Sequence, residues 1–90
     1  METKASYREK VDIRPECLLA HKDWVEPTAD EVRAALEMAG WSGEAFSRVI
    51  GVDGRTVRRW TLGEKQINYP AWCVLCVQAE LGPIWRFSPL

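Results

Sequence analysis

Three arginines within five residues, Arg55, Arg58 and Arg59, are the side chains in this sequence best placed to do chemistry. Arg55 and Arg59 are four apart and Arg58 is three from Arg55, so on a helix all three share a face. A guanidinium presents a planar fork of donors. It can grip O6 and N7 of a guanine edge, worth about 1–3 kcal/mol of discrimination, or hold a phosphate as a charge-assisted pair. Thr56 stands among them, where its hydroxyl can bond a phosphate or its methyl can touch that of a thymine. The bland alternative is a solvated arginine face. Against it stands the setting: Val57 and Trp60, also three apart, are apolar and fall on the opposite side of the same helix.

Charge placement agrees. The whole chain has a net charge of −1 and a pI of about 5.8, which counts against indiscriminate nucleic-acid binding. Yet residues 48–65 carry five basic groups (Arg48, Arg55, Arg58, Arg59, Lys65) against two acids (Asp53, Glu64). Recognition of a polyanion needs a basic face rather than a basic average.

The elements that must hold this face are written in capping and stop signals. Thr28 with Glu31 three residues on is a capping-box pattern, and Val32, Ala35, Leu36 and Ala39 make one helical stripe. Gly40 stops that helix, which is predicted over 29–39. Ser42 caps a second helix over 43–50, with Ala45, Phe46, Val49 and Ile50 inward, ended by Gly51. Asp53 caps a third over 54–61, ended by Gly63. The link between the second and third helices is residues 51–53 only, and such a glycine-containing turn joins the helices of a helix-turn-helix unit. Pro70 opens a fourth helix to about residue 80, and Gly82-Pro83 precedes a short apolar tail. Residues 1–26 read as an arm. Tyr7, Val11 and Ile13 suit one face of a short strand, Pro15 suits the start of a helical turn through Leu18 and Leu19, and Trp24 suits packing onto the core. The resulting division is an arm (1–26), a helix-turn-helix domain (27–81) and an apolar tail (82–90).

Other function classes find little support. There is one histidine, no glycine-rich phosphate cradle and no nucleophile elbow, so catalysis is not expected. The longest mostly apolar run, 70–77, is far short of a membrane span. An odd number of cysteines, three, with no signal peptide points to a reducing cytoplasm. Cys17, His21, Cys73 and Cys76 could in principle supply zinc ligands, but Cys73 and Cys76 fall inside an apolar helix, so core packing is the reading taken and no cofactor is expected.

The stretch from Val32 to Ala79 resembles the lambda-repressor/Cro (Xre-type) helix-turn-helix domain of phage and bacterial regulators. The resemblance covers about half the chain. It rests on Gly40 and Ser42 opening the second helix, Gly51-Val52-Asp53 as the turn, Val57 as the buried residue of the third, and Arg59-Trp60 with Gly63 closing it. It implies an all-α, five-helix domain whose third helix lies in the major groove of double-stranded DNA. Base-edge contacts would fall on Gly54, Arg55 and Arg59 with Arg58 beside them, and Ser42 and Gly43 would lie near a phosphate. The Asp53 cap, Thr56 and Lys65 complete the expected DNA face. The chain departs from the family pattern at Gly43, where a polar side chain is usual, and at Gly54, which offers no base-reading group. Ser47 replaces a usual alanine and Thr61 a usual acid, with loss of an ion pair.

The wide apolar circumference of the fourth helix, together with the tail, suggests burial on a second side. A homodimer contact through Trp72, Val77, Ile84, Trp85 and Phe87 is expected, which suits reading two half-sites on a palindromic operator. The expected function is a small dimeric repressor. The alternative is a protein-interaction module such as the antitoxin of a toxin–antitoxin pair.

Overall fold

A computed structural model describes residues 13–87. Four α-helices form its body: α1 (Ala29–Ala39), α2 (Gly43–Ile50), α3 (Gly54–Leu62) and α4 (Tyr69–Gln78). Three single 3-10 turns flank them, Pro15–Cys17 and His21–Asp23 before α1 and Ile84–Arg86 after α4. Among the described residues the expected five-helix count is therefore not met: four are present. The tail is too short for a fifth helix: Gly82 and Pro83 leave three residues of 3-10 turn. No strand occurs among the described residues. The strand expected around Tyr7 and Val11 lies outside them, apart from Ile13, which packs against the core.

Each of the first three helices has the start and stop that its sequence specifies. Thr28 accepts from the Glu31 N–H while the Glu31 carboxylate accepts from the Thr28 N–H, a complete capping box. Ser42 and Asp53 cap α2 and α3 through the N–H groups of Ala45 and Arg55. Gly40, Gly51 and Gly63 all take the left-handed conformation that ends a helix. The fourth helix starts one residue before Pro70, because Asn68 caps it through the Ala71 N–H, and ends at Gln78 rather than residue 80.

The core is built on Phe46, Trp60 and Trp72 with Val32, Leu36, Val57, Leu75 and Ile84 around them. Trp72 is fully buried, and its indole N–H donates to the Cys17 carbonyl at 2.7 Å, which satisfies the only polar atom of the ring. Tyr69 likewise donates to the Leu19 carbonyl at 2.8 Å. The second half of the arm is thus fastened onto α4. Trp24 packs edge-on against Tyr69, with ring centroids 5.0 Å apart, as the expectation for this residue required.

The other fastening is ionic. Glu31 is 3 % exposed, and its carboxylate takes both the Nε and an Nη of Arg14 at 2.9 Å, together with the Arg14 main-chain N–H. Burial pushes the carboxyl up, but the Arg14 side chain and the N–H groups of Arg14 and Thr28 outweigh it and bring it from 4.5 down to about 2. Because the folded value lies below the unfolded one, the stabilisation is complete above pH 4.5 and drains away as pH falls towards 2. Replacing Glu31 by glutamine is expected to cost about 2 kcal/mol at neutral pH, the scale of hydrogen bonds to a charged group. It should also flatten the loss of stability on acidification through that window. Urea denaturation at several pH values reads both.

Candidate nucleic-acid interface

The third helix is held by its inner face. Val57 and Trp60 are buried, and the Trp60 ring lies 6.1 Å from that of Phe46 on α2, which in turn stacks on Trp41 at 5.8 Å. At its far end the Arg33 guanidinium of α1 donates to the Thr61 carbonyl and pairs with Asp30. The departure at Thr61 thus has a physical sequel. The hydroxyl of Thr61 donates to the Arg58 carbonyl, and α1 reaches the end of α3 through a main-chain oxygen instead of an acidic side chain.

The turn before α3 is equally defined. The N–H groups of Gly51 and Val52 both donate to the Ser47 carbonyl, at 2.9 and 3.0 Å, and Gly51 has φ +76°. Ser47 itself is buried, with its hydroxyl donating to Glu44 at 2.7 Å, so the small polar replacement is accommodated without an orphaned group. Gly43 lies against α3: a β-carbon there would already touch Val57 at 3.4 Å. At Gly54 it would meet only the Ser47 hydroxyl at 3.9 Å, so the start of α3 presents main chain to the outside by choice of residue rather than by crowding.

What α3 turns outward is the arginine cluster. Arg55, Arg58 and Arg59 are exposed, and none is hydrogen-bonded or ion-paired through its side chain among the described residues. Ser42, Asp53 and Lys65 are exposed as well, while Gly43, Gly54 and Thr56 are half-buried. Lys65 stands apart from the helix, in the loop beyond Gly63, where its main-chain N–H donates to the Arg59 carbonyl. Charges that fold stability does not use are free for a ligand. The acidic groups nearest in sequence are otherwise occupied or outward: Asp53 caps the helix, and Glu64 is exposed.

Two residues of the expected dimer contact are corrected. Trp72 and Ile84 are wholly buried within their own chain and have no surface to offer a partner. Val77, Trp85 and Phe87 are exposed at 49, 47 and 53 %. Val49 was expected inward but is 54 % exposed, on the wall of a hollow beside α4 that no element of the described chain fills. Among the described residues no cluster of histidine, cysteine and carboxylate groups could hold a metal. Cys17, Cys73 and Cys76 are buried, and burial pushes all three thiols up, Cys17 to about 11. Nor is any helix among these residues long and apolar enough to cross a membrane.

Two curated proteins of Escherichia coli, each described as transcriptional repressor protein KorC, are 43 % and 41 % identical to this chain over 79 and 78 residues. The alignments cover 84 and 83 % of this chain and 93 and 92 % of those proteins. The chain belongs to the KorC family of transcriptional repressors. No protein-family profile and no solved structure matches it. The coverage of the KorC repressors is nearly end to end, so the likeness extends well beyond the α2–α3 pair.

Two measurements test this geometry. Gly51→Ala adds a β-carbon into open space but at positive φ, so it is expected to cost about 1–2 kcal/mol through backbone strain alone, read by denaturant unfolding. The native protein is expected to react slowly with a thiol reagent at neutral pH and to release all three cysteines on unfolding.

Proposed function

We propose that this chain is a dimeric repressor that reads a palindromic operator by laying α3 in the major groove, as the resemblance to the lambda-repressor/Cro domain implies. The observation that carries this reading is the unpaired arginine face of α3, fixed by buried Val57 and Trp60, in a member of a repressor family. Major-groove base edges are matched by guanidinium forks, and the N-terminus of a helix attracts phosphate. Arg55 and Arg59 read base edges. Arg58 and Lys65 take phosphates, and Ser42, Gly43, Asp53, Gly54 and Thr56 form the main-chain and hydroxyl margin that lets the backbone come close.

The chain is 34 Å across in each of its two long directions. The two half-sites of such an operator lie about one turn of B-DNA, roughly 34 Å, apart, a span of the same order as the chain's own width. No separate effector domain is needed for repression of this kind, since occupancy of the operator blocks polymerase sterically.

Selection of bound sequences from random DNA is expected to return a two-fold symmetric site. On that site Arg55→Ala and Arg59→Ala are each expected to lose about 10- to 100-fold in affinity, and far less on random DNA. Arg58→Ala is expected to lose affinity on both and to reduce the salt slope by about one phosphate contact. Unchanged operator affinity in Arg55→Ala and Arg59→Ala would refute the reading.

A further inference from the structure

We infer that a second copy of this chain docks on the apolar groove between the end of α2 and the outer side of α4, a reading that rests on the dimer proposed above and gives it a surface. The groove is two adjoining hollows that share Val49, Pro70 and Val74. Val52, from the turn before α3, lines one end, and Val77 and Trp85 line the other. Val49, Val74, Val77 and Trp85 are 40 to 54 % exposed, four large apolar side chains left in water on one face.

The chemistry of the groove selects its occupant. No lining side chain carries a charge. Its two amides are already engaged: Asn68 caps α4 through the Ala71 N–H, and Gln78 donates to the Ala39 carbonyl at 3.5 Å. A small polar ligand would find only the other ends of these two amides, whereas binding pockets fix orientation with a few convergent polar groups. A contact with two-fold symmetry places a patch against itself, so any charge near its centre would face its like. An uncharged patch escapes that repulsion and is complementary to its own copy. A standard interface takes about 800 Å² from each partner. That is about a seventh of the 5812 Å² this chain exposes, within reach of a face running from the turn to the C-terminal segment. Contact at Val49 and Val52 also ties the interface to the start of α3. The two reading helices would then be spaced by the dimer contact itself.

The test measures the mass of the full chain in solution without DNA, so it is independent of what α3 reads. Sedimentation equilibrium at tens of micromolar is expected to give a dimer. Val74→Glu and Val77→Lys, opposite in sign and both at solvent-exposed positions, are each expected to weaken it at least tenfold. Far-UV circular dichroism of both variants should match the parent. Val25→Glu, at a valine 42 % exposed outside the groove, is expected to remain dimeric, as is Arg55→Ala. A monomeric parent, or a dimer that survives both groove variants, would overturn the proposal. Loss of operator reading in Arg55→Ala with the dimer intact separates the two proposals.

Discussion

A carboxylate taken out of water must be matched or the fold around it fails, and Glu31 is where this small domain accepts that constraint. Its two oxygens serve three tasks together. They complete the cap of α1, receive the Arg14 fork, and receive the Arg14 main-chain N–H. A domain of this size has a thin hydrophobic core. Extra material for that core comes from residues 13–24, which bring Cys17, Leu18 and Trp24 onto α4 and α1. Glu31, Tyr69 and Trp72 hold that segment, one by charge, one by a phenol hydroxyl and one by an indole N–H. Everything that α1 supports downstream, including the reach of Arg33 to the end of α3, inherits its position from this end of the helix.

The seating of α3 is achieved differently, by local chemistry repeated three times. A side-chain cap opens each of α1, α2 and α3, and a left-handed glycine closes each. These signals act over four or five residues, so they can be read directly from the sequence. That is why the bounds of α1 and α2 match their expected ranges and α3 gains only Leu62. The candidate site was legible for the same reason. Alternation of Val57 and Trp60 with Arg55, Arg58 and Arg59 on a nine-residue helix leaves little freedom about which side faces in.

What escaped the sequence depends on distance along the chain. Arg14 and Glu31 are 17 residues apart and Cys17 and Trp72 are 55 apart, and no spacing rule links them. The two faces of α4 were separated only in part, since Val77 was expected to face outward and does, whereas Trp72 was expected beside it and is buried. The residues of this helix are apolar all round, so no amphipathic stripe distinguishes buried Trp72 and Leu75 from exposed Val74 and Val77. Only the packing partners decide, and these include α1, α2 and the Ile84 turn. The exposed position of Val49 belongs with them, since it forms the opposite wall of the groove that α4 leaves open.

The free arginines of α3 also give the particle a direction. Residues 48–65 carry +3 in a chain at −1, which leaves −4 for the remainder. Such a particle is hardly drawn to a polyanion from afar, yet the field near a duplex exerts a torque on it. If α3 is the DNA face, as proposed, collisions would be sorted by orientation, with the arginine face leading and the acidic remainder held away. Added salt would shorten the range over which this turning acts, to about 8 Å at physiological ionic strength. The same asymmetry would penalise lingering on DNA in any other pose, so that a nearly neutral protein of this design would search without adhering.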